Sequence, residues 1–206
     1  MKVFKYLTIL LGFSVLFSCV EHEVIPPPKP EVELNSSFSA LFQGSEYELI
    51  QDIDGYYCEA TQAKELLPTP QPSTVTYFSA IKSDAELDYV QIGIGQLSFN
   101  ADASIDPSLE QFSSFFNANT TPDFSFEAEE GVEIVFRDGS GNVWKSSENS
   151  TEPQEFTFTS LNQESDEQGD YMKFVANFSV SLYDDIDNPE DTVVFEDAVF
   201  EGYFRK

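Results

Sequence analysis

From Tyr171 to Tyr183 the chain alternates without a break. Met172, Phe174, Ala176, Phe178, Val180 and Leu182 occupy one set of positions, and Tyr171, Lys173, Val175, Asn177, Ser179 and Ser181 the other. A period of two places the first set on one face of a β-strand; an α-helix would scatter the same six side chains around its circumference. A strand of this length with one apolar face needs other strands beside it and a layer against it, so the rest of the chain is constrained to supply both.

Shorter segments supply them. Phe38, Ala40 and Phe42 alternate, as do Val75, Tyr77 and Ile81, then Val90, Ile92 and Ile94. Leu97 and Phe99 take the opposite phase after Gly93 and Gly95, which reads as a bulge. Val132, Ile134 and Phe136 precede Asp138-Gly139-Ser140-Gly141-Asn142, a hairpin turn whose return strand is Val143-Trp144-Lys145. Phe156 and Phe158 mark another strand. In the last segment Val193 and Phe195 are followed by Ala198, Phe200, Gly202 and Phe204, and the change of phase at Glu196-Asp197 predicts a bulge or tight turn. One helix is expected, with Asp106 as cap, Pro107 in the first turn and Leu109, Phe112 and Phe116 on one face. Lys64 to Ser73 holds three prolines and reads as a surface loop. Strands without βαβ alternation predict an all-β fold, an antiparallel, jelly-roll-like β-sandwich with one short helix; a barrel is the alternative.

The N-terminus carries an address. Lys2 and Lys5 precede an uncharged, mostly apolar run from Tyr6 to Phe17, too short for a membrane span and suited to a secretory signal. It ends in Leu16-Phe17-Ser18-Cys19, which looks like a bacterial lipobox, with leucine three residues before the cysteine and a small residue directly before it. Residues 1–19 are therefore expected to be a lipoprotein signal ending at the lipidated Cys19. One acyl chain binds membranes reversibly; the two or three of a bacterial lipoprotein hold firmly. No aspartate follows Cys19 to suggest inner-membrane retention, so the outer membrane is expected. Residues 20–33, VEHEVIPPPKPEVE, form an extended stalk of roughly 40 Å at about 3.1 Å per residue. Residues 34–206 have the size of one domain.

Composition removes several function classes. There are 10 Lys+Arg against 37 Asp+Glu, which argues against nucleic acid and against anionic lipid surfaces as partners of the domain. The same charge suits solubility, cations or a basic partner. With 20 Phe the chain is not disordered. The single histidine, His22, lies in the stalk, which leaves no Ser-His-Asp triad, Cys-His pair or multi-histidine metal site in one chain. If Cys19 carries lipid, Cys58 has no partner for a disulfide and reads as a small buried hydrophobe.

The order of elements is also familiar. A Cys-anchored signal and proline stalk precede Ser37-Phe38-Ser39-Ala40-Leu41-Phe42-Gln43-Gly44. The hairpin Arg137 to Trp144 and the strand Glu155 to Ser160 follow, and Asn177 to Val180 and Ala198 to Phe204 close the chain. This resembles β-sandwich lipoproteins of unknown function from Bacteroidota envelopes, over most of the mature chain. The resemblance implies lipid anchoring and a sandwich, and no reaction or catalytic residue. In such lipoproteins acidic residues soon after the cysteine can mark surface export; Glu21 and Glu23 stand there with His22 between them, so the side of the membrane stays open.

Two ligand patterns remain. Trp144, Tyr171, Tyr183 and Tyr203 fall on faces that read as outward, where aromatic rings could stack on a sugar or a protein partner; a partly covered face would make them peripheral core instead. In the acidic run Asp184 to Asp191, Asp185, Asp187, Asn188 and Asp191 could supply oxygens to calcium, although the run lacks the glycine and distal glutamate of an EF-hand. The competing reading is a solvated hairpin that discourages edge pairing. No other cofactor is expected. The chain therefore reads as a non-enzymatic module held by lipid that binds a glycan or an envelope protein. A structural or assembly role, a hydrolase using two of the carboxylates, and a lipocalin-like carrier with an apolar cavity are alternatives. Cys19→Ala is expected to move the protein from the membrane pellet to the soluble fraction; continued sedimentation with membranes would overturn the anchor.

Overall fold

The computed structural model describes residues 31–102, 104–186 and 190–206. Cys19 and the stalk through Pro30 lie outside them, as do Asp187 and Asn188. Ten antiparallel strands are described: β1 Ser37–Phe42, β2 Ser45–Ile50, β3 Tyr56–Glu65, β4 Ser73–Ser83, β5 Tyr89–Phe99, β6 Val132–Arg137, β7 Val143–Ser146, β8 Glu155–Ser165, β9 Asp170–Tyr183 and β10 Thr192–Arg205. One helix, α1, spans Leu109–Ala118, and a single 3-10 turn spans Phe126–Ala128. No helix among the described residues is long and apolar enough to cross a membrane.

The all-β expectation with one short helix holds. The two expected layers, however, come from one continuous sheet curled into a half-barrel, in the order β2-β1-β10-β9-β7-β6-β5-β4-β3. The sheet forks at β9, which pairs with β8 from Asp170 to Ser179 and with β7 at Leu182 and Tyr183. Curling brings β10 across from β3 and β4. A Cβ at Gly202 would stand 3.1 Å from the Ser79 hydroxyl and 3.1 Å from the Phe174 ring, and the Tyr203 hydroxyl donates to the Cys58 carbonyl at 3.3 Å. The edge strands β2 and β3 do not pair with each other. One carboxylate ties them instead: Asp88 accepts hydrogen bonds from Tyr47 of β2 and Tyr56 of β3, each at 2.5 Å. Burial, then the Asp88 bonds and charge, push both phenols up from their ordinary value.

The interior is a run of rings. Phe136 meets Phe195 at 4.9 Å, Phe195 meets Phe38 at 5.1 Å, and Phe38 meets Phe200 at 6.0 Å. Phe200 meets Phe174 at 5.6 Å, Phe174 meets Phe204 at 4.7 Å, and Phe204 meets Phe116 of α1 at 4.8 Å. Each buried ring contributes about 1.5–3 kcal/mol of transfer free energy, and each edge or offset pair about 0.5–1.5 kcal/mol more. The expected bulge of β10 keeps this run on one face. Pairing with β9 slips between Phe195 and Ala198, with Asp197 at φ 51° and its N–H donating to the Ser179 hydroxyl. The slip turns Phe195 inward together with Phe200 and Phe204.

The helix differs from expectation at its start. Ser108, not Asp106, is the cap, because Ser108 and Gln111 close a reciprocal capping box. Asp106 pairs with Lys64. Phe112 and Phe116 are buried as expected, while Leu109 stays exposed. The expected irregularity at Gly93 and Gly95 is present, since the β4–β5 register slips between Val75 and Tyr77.

Those two glycines also admit a second layer outside the sheet. The 3-10 turn lies on the outer face of β5 and β6, and a Cβ at Gly95 would stand 2.0 Å from the Ala128 carbonyl oxygen. Gly95→Ala is expected to destabilise by about 1–3 kcal/mol, lowering Tm by roughly 3–10 °C. Gly139→Ala, in open space, is expected to change Tm by less than about 2 °C. Calorimetry of both variants checks the pair, and equal Tm values would refute the close approach.

Candidate functional site

The connection from β7 to β8, residues 147–154, stands between three surface depressions. It is held by its own polar side chains. Ser147 accepts through Oγ from the Asn149 N–H (3.2 Å) and through its carbonyl from the Gln154 amide (2.9 Å). The Ser150 hydroxyl accepts from the Glu152 N–H (3.2 Å) and bonds to the Tyr183 hydroxyl (2.8 Å).

The first depression, a cleft of about 440 Å³, lies between this connection and the 3-10 turn, and Ile186 from the β9–β10 connection also lines it. Glu129, Glu130 and Glu148 stand around it beside Phe126, which is 46% exposed. The Phe126 N–H donates to Glu148 at 3.4 Å and links the two walls. The turn is strained: Glu127 (φ 49°) and Ala128 (φ 52°) both adopt the left-handed region without being glycine, at about 1–3 kcal/mol each. Surrounding contacts impose this. Val132 donates to the Asp123 carbonyl (2.9 Å), Ser125 donates to the Val132 carbonyl (3.0 Å), and Gly95 donates to the Gly131 carbonyl (3.0 Å).

Two broader depressions flank the same connection. One, about 510 Å³, includes Asp123, Glu148 and Glu155; the other, about 670 Å³ on the outer face of β9 and β10, includes Glu152, Glu196 and Tyr183. Together the three present seven different carboxylates, and among the described residues no lysine or arginine lines any of them. This end of the fold can attract and desolvate a cation-bearing segment, with Phe126 and Ile186 offering apolar contact.

Beneath the turn lies Glu133 on β6, 5% exposed and 3.7 Å from the Lys145 ammonium. Burial raises its carboxyl above the ordinary range, although Lys145 and the Glu127 N–H oppose the shift.

The four expected aromatic residues do not assemble into a platform. Trp144 faces the interior, 8% exposed, because β7 buries Trp144 and Ser146 and exposes Val143. Tyr171 is also buried, and its ring meets Tyr203 edge-on at 5.8 Å with the Arg205 guanidinium 5.9 Å above it. Tyr203 is half-buried, and burial pushes its phenol up to about 12. Tyr183 alone of the four lines one of the three depressions.

Of the expected calcium residues, Asp187 and Asn188 lie outside the described residues. The Asp191 carboxylate accepts from the Thr192 N–H at 2.8 Å. Asp184 closes the connection by accepting from the N–H groups of Glu190 (3.1 Å) and Asp191 (3.0 Å). Among the described residues no three His, Cys, Asp or Glu side chains converge to hold a metal ion, and Asp185 joins no such group.

The Phe126–Glu130 wall was not found by periodicity, because it belongs to no strand or long helix. Its signals were indirect: two glycines in the β5 pattern, and a glutamate inside the apolar run Val132–Phe136.

No protein-family model, curated protein or solved structure matches this chain.

Backbone N–H donors, Asp191 first, hold the Asp184 carboxyl below its ordinary value. The closed connection is therefore favoured above that value and loosens as pH falls through the depressed one. In an NMR titration the Glu190 and Asp191 amides are expected to move with the Asp184 carboxyl, at a pH below that of an unperturbed aspartate. Amide shifts at the ordinary carboxylate pH would contradict this closure.

Proposed function

We propose that this chain is a lipid-anchored, non-enzymatic binding module of the bacterial outer membrane, and that the end around residues 147–154 receives a cationic segment of an envelope protein. The observation that carries this reading is the set of three adjoining depressions with seven carboxylates and, among the described residues, no lining lysine or arginine. A basic segment gains from each carboxylate only modestly, about 0.2–1 kcal/mol at exposed pairs, but gains over several at once and is steered by the field of the whole acidic domain. Phe126 and Ile186 supply the apolar contact that makes attachment more than electrostatic. The absence of a catalytic role is supported by the sequence, whose one histidine lies in the stalk.

The tether rests on the Leu16-Phe17-Ser18-Cys19 motif and the stalk on Pro26 to Pro30. Anchoring keeps the module within reach of other envelope proteins and raises its effective concentration for them.

A glycan is the second reading. It is favoured by the exposed Phe126 ring beside Ser125, Ser147 and Asn149, a combination suited to a sugar face and its hydroxyls.

A photo-cross-linking residue at Phe126, introduced in intact cells, is expected to capture an envelope protein through a Lys- or Arg-rich segment. Replacing Glu129, Glu130 and Glu148 together by Gln is expected to reduce capture about tenfold, the effect of roughly 1.4 kcal/mol. Replacing the exposed Glu46, Glu48 and Glu201 by Gln changes the net charge equally and is expected to leave capture unchanged. Equal loss in both triple variants would reduce the effect to bulk charge. No protein captured, together with retardation of the chain by a neutral polysaccharide, would move the assignment to a glycan.

A further inference from the structure

Glu133 is a carboxylate enclosed between the sheet and the turn above it. Its cross-strand partner on β5 is Gly93, whose missing side chain makes room for Ala128: a Cβ at Gly93 would stand 3.3 Å from that of Ala128. Ala128 is fully buried there. One Glu133 oxygen, Oε1, has no hydrogen-bond partner, and Lys145 at 3.7 Å is beyond hydrogen-bond reach. While the turn stays down, the Glu127 N–H and the Lys145 ammonium offset only part of the cost of burying a negative charge here, and burial remains the larger effect; water reaches the carboxylate when the turn lifts. The charged groups facing it are Lys145 from β7 and Glu127 from the turn, while β5 presents Gly93.

We propose that Glu133 is a proton-sensitive latch under the Phe126–Glu130 turn: the neutral carboxyl lets the turn lie closed on β5 and β6, and the ionised carboxylate loosens it. The turn carries Phe126, Glu129 and Glu130, so the latch sets the shape of one wall of the cleft. The latch follows from the burial of Glu133 alone and stands whether or not the cleft takes a cationic partner.

The raised carboxyl value agrees in direction. The sign follows from linkage. The closed turn holds the Glu133 proton more tightly than the open turn, where the carboxyl is solvated. Closure is therefore fully favoured below the ordinary glutamate value and weakens as pH rises toward the raised value of the closed state. One linked proton limits the change to about tenfold per pH unit.

Hydrogen exchange of the full chain across this pH range, corrected for intrinsic exchange rates, reads the latch directly. Protection of the Glu127–Gly131 amides is expected to fall as pH rises, by up to about tenfold per unit, while amides at the centre of β9 keep theirs. Glu133→Gln is expected to hold protection of the turn high and flat. Lys145→Met removes the cation that favours ionisation, on a half-exposed position that tolerates change, and is expected to move the fall to higher pH. Constant protection in the unmodified chain, an equal fall in Glu133→Gln, or an unmoved midpoint in Lys145→Met would each overturn the latch. Parallel loss at the centre of β9 would assign the effect to global unfolding and overturn it as well.

Discussion

The rings along the inner face of β10 hold the rest of the structure in place. Phe195, Phe200 and Phe204 touch rings from β1, β6, β9 and α1. A flat sheet could not give Phe195 its contact with Phe136, because β6 lies three places from β10 in the sheet order. Curling brings those strands together, and the glycine at 202 lets β10 come close to β4 at its tightest point. The bulge at Glu196–Asp197 is part of the same constraint. Without it Phe195 would face solvent, and the contacts to Phe38 and Phe136 would be lost.

On the outer face of β5 and β6, where Gly93 pairs with Glu133, the chain lays a strained turn rather than another sheet. The strain in Glu127 and Ala128 is sustained by backbone hydrogen bonds on either side of the turn and by the space that Gly93 and Gly95 leave. A segment held this way presents Phe126, Glu129 and Glu130 in one arrangement. It is also the segment placed over a buried carboxylate, so the site wall and the least compensated charge of the sheet share one set of contacts. Acidity elsewhere keeps the domain apart from other acidic surfaces and biases what approaches this end.

Much of the fold was legible because strand periodicity is local. The alternation at Tyr171–Tyr183, the phase change at Glu196–Asp197, the Asp138–Asn142 turn and the irregularity at Gly93–Gly95 each rest on neighbouring residues and each appears in the fold. The helix start was misread because Asp106 and Ser108 both satisfy the cap rule, and the reciprocal Gln111 bond decides between them. β2 alternates only briefly, with Tyr47 and Leu49 turned inward between the exposed Glu46, Glu48 and Ile50, too short a run to stand out. Trp144 and Tyr171 were misread for a different reason. Period two says which residues share a face but not which face is covered. Trp144 therefore went to the wrong side, and Tyr171 to a face that Tyr203 and Arg205 partly cover.

The sequence alone determined that the chain forms strands, where they bend, that it is acidic, and that its one histidine, His22, precedes the strands. These are properties of single residues and near neighbours, set by backbone sterics, side-chain period and charge. Only the tertiary structure decided that one sheet would curl rather than two sheets stack. It alone brought Ser125, Phe126, Glu129 and Glu130, residues 146–149 and Ile186 around a common cleft and buried Glu133 beneath a strained turn. Those outcomes depend on which apolar faces meet across the fold, and contacts between residues far apart in the chain leave no periodic trace in it.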